Sequence, residues 1–186
     1  MKRIIALSLS LLCLSGCYTF MKVRPDYNDV PVEDLKQVAL EIERQVSEGN
    51  REPELTNRGA VVVSTDEIRQ SVRTRAARSH LIKAFLQTGH ACEMKNGTIA
   101  VLRTREYKKF GTSRDRDRNA LLVLGENTDR WAIYEGIVKA SNFRPKTLPA
   151  VQRIFYEARL EYLDDGAKFE EESGNVAYKG GAPATP

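Results

Sequence analysis

The sequence predicts an α+β domain, with about four helices packed around a small antiparallel sheet of two short hairpins. Three observations predict it. Four segments carry apolar residues at the three-to-four spacing of a half-buried helix. Two short extended segments flank Asn96-Gly97, and two more flank Ser173-Gly174-Asn175. Helices and hairpins follow one another without the strict strand–helix alternation of a parallel α/β fold.

Along the chain, Met1-Lys2-Arg3 is a short basic start, and Ile4 to Leu14 is an uncharged run. That run is too short to cross a bilayer as a helix, which takes roughly 20 apolar residues. A basic start, a short apolar stretch and small residues at the cut form the layout of an export signal. The cut region, Leu14-Ser15-Gly16-Cys17, resembles the bacterial lipobox, in which the cysteine is acylated and becomes the new N-terminus. The resemblance implies that residues 1–16 are removed and that Cys17 holds the protein to a membrane through palmitate-type chains. Each buried methylene contributes about 0.8 kcal/mol, and two chains make a stable anchor. Tyr18 follows Cys17 where an aspartate would mark retention at the inner membrane. An outer-membrane location facing the periplasm is therefore expected.

Removing the signal changes the composition. The full chain has 29 basic and 25 acidic residues, a net charge of +4. Loss of Lys2 and Arg3 leaves 27 against 25, or +2. So small an excess predicts no nucleic-acid partner. Of the three cysteines, Cys13 leaves with the signal, Cys17 takes lipid, and Cys92 has no partner within the chain. The mature 170 residues (186 less 16) suit one domain with a modest core.

Tyr18 to Val30 reads as a polar tether that spans at most about 40 Å. A first helix is expected over 31–48, with Leu35, Val38, Ile42 and Val46 on one face and Gly49 at its end. Ala60 to Val63 is either a strand or a segment lying in a groove. Ser64-Thr65-Asp66-Glu67 has capping-box spacing and opens a second helix to about Thr88, closed by Gly89. Asn-Gly within Cys92 to Val101 predicts the first hairpin. A third helix is expected over 114–142, with Leu121, Leu124, Thr128, Trp131, Tyr134 and Val138 forming its buried stripe. Phe143-Arg144-Pro145 breaks it. A fourth helix starts at Thr147-Leu148-Pro149, buries Val151, Ile154, Phe155, Ala158 and Tyr162, and closes at Gly166. The second hairpin lies within 168–179, and residues 180–186 read as a frayed tail.

From Ser64 to about Tyr178–Lys179 this order of elements resembles the YdbL family of periplasmic domains. The residues that carry the resemblance are Gly89, Glu93 and Gly97 around the first turn, Glu126-Asn127-x-Asp129-Arg130 with Tyr134 on the third helix, and Gly166 before the second hairpin. The family implies an accessory or chaperone-like role beside a lipoprotein and a large protein that bridges the two membranes. This chain differs in carrying its own lipid and an extra N-terminal helix.

No catalytic motif and no cofactor site emerges. His90 and Cys92 invite a zinc reading, but His80 is the only other histidine and no second Cys/His pair completes a tetrahedron. A Cys–His dyad lacks a marked third group. Glu93, Asn96, Gly97, Glu126, Asn127, Asp129, Arg130 and Tyr134 form a candidate docking face. Equally, the helix residues among them can form a polar edge bonded to the Asn96-Gly97 turn. Arg103, Arg105, Lys108 and Lys109 are candidate anion-binding residues. They open a stretch to Arg118 with seven basic against three acidic residues. The composite expectation is a lipid-anchored, non-enzymatic interaction or assembly factor that meets other envelope proteins. The competing expectations are a lipid-anchored enzyme acting on envelope polymers or lipids, and a module that binds anionic lipid or glycan.

Overall fold

The computed structural model describes residues 25–181. The expected export signal, Cys17, the first part of the expected tether and residues 182–186 lie outside the described residues. Helix α1 spans Val32–Ser47 and α2 spans Asp66–Gln87. Strands β1 (Ala91–Glu93) and β2 (Ile99–Val101) follow, then a short α3 (Arg105–Lys109) and the long α4 (Ser113–Ala140). A 3-10 turn over Pro145–Thr147 leads into α5 (Leu148–Glu161), and β3 (Lys168–Glu170) and β4 (Val176–Tyr178) close the fold.

The four expected long helices form close to their expected bounds, and the local sequence explains each start. Thr65, not Ser64, caps α2, its side chain accepting from the Ile68 amide. Thr112 and Asp115 make a reciprocal capping box at α4. Pro149 sits in the first turn of α5, where its missing N–H costs nothing. Helix α3 was not foreseen within the basic stretch. Its Tyr107 is buried between α2 and α4 while the lysines around it stay exposed.

Both hairpins form, but the sheet is mixed, not antiparallel. Its order is β2-β1-β3-β4, and the central strands β1 and β3 run parallel, with Cys92 beside Lys168 and Glu93 beside Phe169. Each hairpin follows a long helix, α2 or α5, so the chain contributes two helix–hairpin units placed side by side. Turn chemistry specifies each hairpin locally, whereas the pairing between them depends on helix packing. Edge strand β2 is closed by a side chain: Asn127 of α4 accepts from the Ile99 amide at 2.8 Å and donates to the Ile99 carbonyl at 2.9 Å. It satisfies the backbone groups that an edge otherwise leaves bare.

The run Ala60 to Val63 forms no strand of the sheet. Val61 and Val63 are buried among the helices. The backbone of the run is held by side-chain acceptors: Asn57 takes the Val63 and Ser64 amides, and Ser141 takes that of Val62. This is the groove-lying alternative. The end of the expected tether is also part of the fold. Val30 joins the core, and Asp26 and Asp29 pair with Lys146 of the 3-10 turn between α4 and α5.

The apolar interior is divided in two. One cluster lies between α1, α2, α4 and α5 and includes Leu35, Ile42, Ile68, Ile133 and Phe155. The other lies under the sheet and α3 and includes Ile82, Phe85, Ile99, Tyr107 and Val123. The expected stripe on α4 is corrected. Tyr134 and Val138 face inward, but Leu121 is 69% and Leu124 63% exposed, with Trp131 at 37%. The inward stripe is Val123, Glu126, Arg130, Ile133 and Ile137. A reading that kept charges outside rotated the helix away from its true face.

Helices α2 and α4 cross closely where Gly136 meets Ile68. A Cβ at Gly136 would lie 2.8 Å from Ile68 Cγ1. Gly136→Ala gains about 1 kcal/mol in helix propensity but overpacks a closed core, at a cost of about 1–3 kcal/mol. The expected outcome is a lower urea midpoint with an unchanged slope. A raised midpoint would show that the crossing has slack.

Candidate functional site

Between the two apolar clusters lies a layer of buried charge. Glu43 of α1, Arg75 of α2, Glu93 of β1, Glu126 and Arg130 of α4, and Arg159 of α5 are all buried. They alternate in sign and close into a ring. Arg75 grips Glu43 through both terminal nitrogens, at 3.0 and 2.8 Å. Its Nε donates to Glu126 Oε1 at 2.8 Å. The same oxygen accepts from Arg130 Nε at 2.8 Å. Arg130 in turn forks onto Glu93 at 2.8 and 2.7 Å. Arg159 donates through Nε to Glu93 at 3.1 Å and through Nη1 to Glu43 at 3.2 Å, which completes the circuit. Three carboxylates and three guanidiniums sum to zero, and each group touches two of opposite sign.

The Asn96-Gly97 turn plugs into this ring. The Gly97 carbonyl accepts from Tyr134 Oη at 2.8 Å, Arg159 Nη2 at 3.0 Å and Arg130 Nη1 at 3.3 Å. Tyr134 Oη also accepts from Arg159 Nη1 at 2.8 Å. Gly97 has φ +83°, and a Cβ there would lie 2.9 Å from the Tyr134 ring. Only glycine brings its carbonyl this close without strain.

The ring sets its own ionisation. Burial alone pushes the Glu126 carboxyl up, but Arg75 and Arg130 outweigh it and hold the group at about 2. Burial likewise opposes ionisation of Glu93, and Arg130 and Arg159 overcome it, so its carboxyl stays below the ordinary range. Burial raises the Tyr134 hydroxyl. Two of the carboxylates are thus held charged and doubly paired, not poised to take a proton near neutrality. Glu126 Oε2 lacks a hydrogen-bond partner among the described residues, as does Arg78 Nη1 at 3.9 Å from it. A cavity of about 60 Å³ lies beside the ring, lined also by Ile82, Lys83 and Ala167.

The expected docking face is corrected accordingly. Glu93, Gly97, Glu126, Arg130 and Tyr134 come together as expected, but buried inside the protein and not on its outer surface. Asn127 is spent on β2, Asp129 pairs with Arg78, and Asn96 alone of the set is exposed. The alternative of a polar helix edge bonded to the Asn96-Gly97 turn describes the contacts. Glu43, Arg75 and Arg159 were not foreseen. Each carried a signal: it falls in phase with the apolar residues of its helix, as Glu43 does with Ala39, Ile42 and Val46.

The other candidates lie apart from the ring. Cys92 is buried, its thiol donates to the Glu93 carbonyl, and burial with nearby Glu93 pushes it up to about 12. His90 instead packs on Tyr107 and Phe110 and lines an open cleft with Glu106, Lys168 and Tyr178. Among the described residues no three His, Cys, Asp or Glu side chains are placed to hold a metal ion. Arg103, Arg105, Lys108 and Lys109 are exposed around α3. Comparison with protein families, curated proteins and solved structures returns no match to this chain.

Two predictions follow from the ring. Arg130→Met strips partners from two buried carboxylates and should cost about 3–5 kcal/mol. Arg44→Met removes only an exposed pair with Glu41 and Glu48 and should leave the urea midpoint nearly unchanged. Urea unfolding of both variants checks the contrast. For pH, Glu126 has a folded value of about 2 against an ordinary 4.5. A depressed carboxyl stabilises the fold fully above 4.5 and loses that contribution as pH falls toward 2. Thermal midpoints should therefore hold level from pH 7 to about 5 and then drop; a midpoint constant to pH 2 would contradict the ring's ionisation.

Proposed function

We propose that this chain is a lipid-anchored protein of the outer membrane, facing the periplasm, that works by contact as an accessory or assembly factor for other envelope proteins. The carrying observation is the fate of its most chemical-looking residues. Three carboxylates, three guanidiniums and a tyrosine neutralise and bond one another inside the fold. Their work is to lock the helices and the first hairpin together, which leaves the outer faces for binding. The lipobox-like Leu14-Ser15-Gly16-Cys17 supports the anchor. The resemblance to the YdbL family supports an accessory role.

One cleft favours a second reading, an enzyme acting on envelope polymers or lipids. His90, Glu106, Lys168 and Tyr178 converge on an open space of about 380 Å³.

The test starts from the full chain made in a bacterial cell. The expected product begins at Cys17, carries acyl chains by mass, and loses both the chains and the membrane fraction in Cys17→Ser. Photo-crosslinkers at the exposed Asn96 and Val176 should capture a defined periplasmic or outer-membrane protein. An unmodified Cys17 would defeat the anchor, and capture of no envelope protein would defeat the accessory role. A deletion phenotype rescued by wild type but not by a folded His90→Ala variant would favour the enzyme.

A further inference from the structure

We infer that the outward face of α4 is an anionic-lipid-binding surface, on which the domain lies against the membrane beside its own anchor. The inference rests on the anchor proposed above and adds what the folded domain does there.

The face is built like an interfacial helix. Leu121, Leu124, Thr128 and Trp131 recur at three- and four-residue steps along α4, and all four are exposed. A helix whose inner face is filled by its own core rarely wastes two leucines and a tryptophan on water in one row. The inner face here is already complete, with Val123, Glu126, Arg130, Ile133 and Ile137 engaged. The outer row is therefore surplus to folding. Tryptophan suits the headgroup level of a bilayer, where one side of the ring is apolar and the other wet.

Charge selects the occupant. Arg114 and Arg118 lead directly into the row, two turns and one turn before Leu121, with the exposed Asp117 the acid on that face, and α3 adds the basic Lys108 and Lys109 nearby in sequence. All four basic residues are exposed. Arg118 pairs with Asp115, whereas Lys108, Lys109 and Arg114 make no ion pair among the described residues. A cationic end running into an apolar row matches an anionic lipid surface, which attracts basic groups and takes apolar side chains into its headgroup layer. Glu67 and Glu135 flank the opposite end near Trp131, so the positive charge is concentrated at the N-terminal end of the row.

The chain outside the described residues fits the same surface. Asp26 and Asp29 hold its entry to Lys146, just past the C-terminal end of α4. From Pro25 back to Cys17 is eight residue steps, at most about 28 Å. Trp131 lies nine residues, about 14 Å, from the end of α4, and Leu121 lies about 15 Å further. The anchor and the apolar row thus reach one plane with α4 lying along it.

Trp131 is the only tryptophan, so the protein carries its own reporter. The full chain is expressed and purified, and its mass judges the anchor separately. The product is then incorporated into vesicles of phosphatidylcholine, with or without phosphatidylglycerol. In phosphatidylglycerol vesicles the Trp131 emission should shift to the blue and be quenched by lipid spin-labelled near the headgroup. Quenching should fall severalfold in Leu121→Ser with Leu124→Ser, and in Lys108→Glu with Lys109→Glu. These exposed substitutions leave the core untouched, and an unchanged far-ultraviolet spectrum verifies it. Emission unaltered by either vesicle overturns the inference. So does quenching that is equal in the two compositions and indifferent to charge reversal. A photo-crosslinker at Leu121 that captures a second copy or another protein instead of lipid also overturns it. If Cys17 proves unmodified, the anchor fails, and the same spectra with vesicles added to the product judge the face by itself.

Discussion

The fold depends on one closed circuit of charge. Its six members come from α1, α2, β1, α4 and α5, so each of these elements is tied to two others by an ion pair. Desolvating six charges is costly, and such pairs rarely stabilise more than a well-packed apolar replacement. Their value lies in what they forbid. If α2 turned by one residue, Arg75 would leave Glu43 and Glu126 and press against apolar neighbours. If α4 turned, Glu126 and Arg130 would both lose their partners. An apolar core tolerates small rotations of that kind, whereas an alternating ring has one arrangement that leaves no charge alone.

The ring also explains why there are two apolar clusters. On α2, Ile68 and Val72 belong to the bundle and Ile82, Phe85 and Leu86 to the region under the sheet, with Arg75 between them. On α4 the same division falls at Glu126 and Arg130, between Val123 and Ile133. The Gly97 carbonyl then fastens the first hairpin to this layer, and Asn127, one residue from Glu126, seals the edge of β2. One stretch of α4 therefore sets the helix bundle, the hairpin and the sheet edge relative to one another.

Much of this was legible in the sequence, and the failures share a cause. Caps, breakers and turn residues act locally, so the four long helices and both hairpins were readable from Thr65, Gly89, Asn96-Gly97 and Pro149. Three features were not settled: the parallel β1–β3 pairing, the choice between strand and groove for Ala60 to Val63, and the true face of α4. Each is decided by partners far along the chain. The α4 error is the most instructive. Assigning charge to the outside is a sound rule for a lone helix, and it pointed Leu121 and Trp131 inward. It fails when the charges have buried partners, and those partners, Arg75 on α2 and Glu93 on β1, lie far along the chain. Glu43, Arg75 and Arg159 were each visible as a charge on an apolar face; what the sequence could not display was that they complete one another.

The same circuit bears on α1, the helix that precedes Ser64. A domain beginning near Ser64 would contain five of the six charges: Arg75, Glu93, Glu126, Arg130 and Arg159. It would lack Glu43, the group that joins Arg75 to Arg159. Three guanidiniums would then face two carboxylates in a buried layer, an excess positive charge with no water to screen it. Helix α1 is therefore integral to the fold and not an appendage between tether and domain. Since Val30 is buried, and since Asp26 and Asp29 fasten the preceding residues to Lys146, the fold extends almost to the membrane anchor proposed at Cys17. That leaves only a short leash. A short leash favours functions exercised at the membrane surface over those that require the domain to reach across the periplasm.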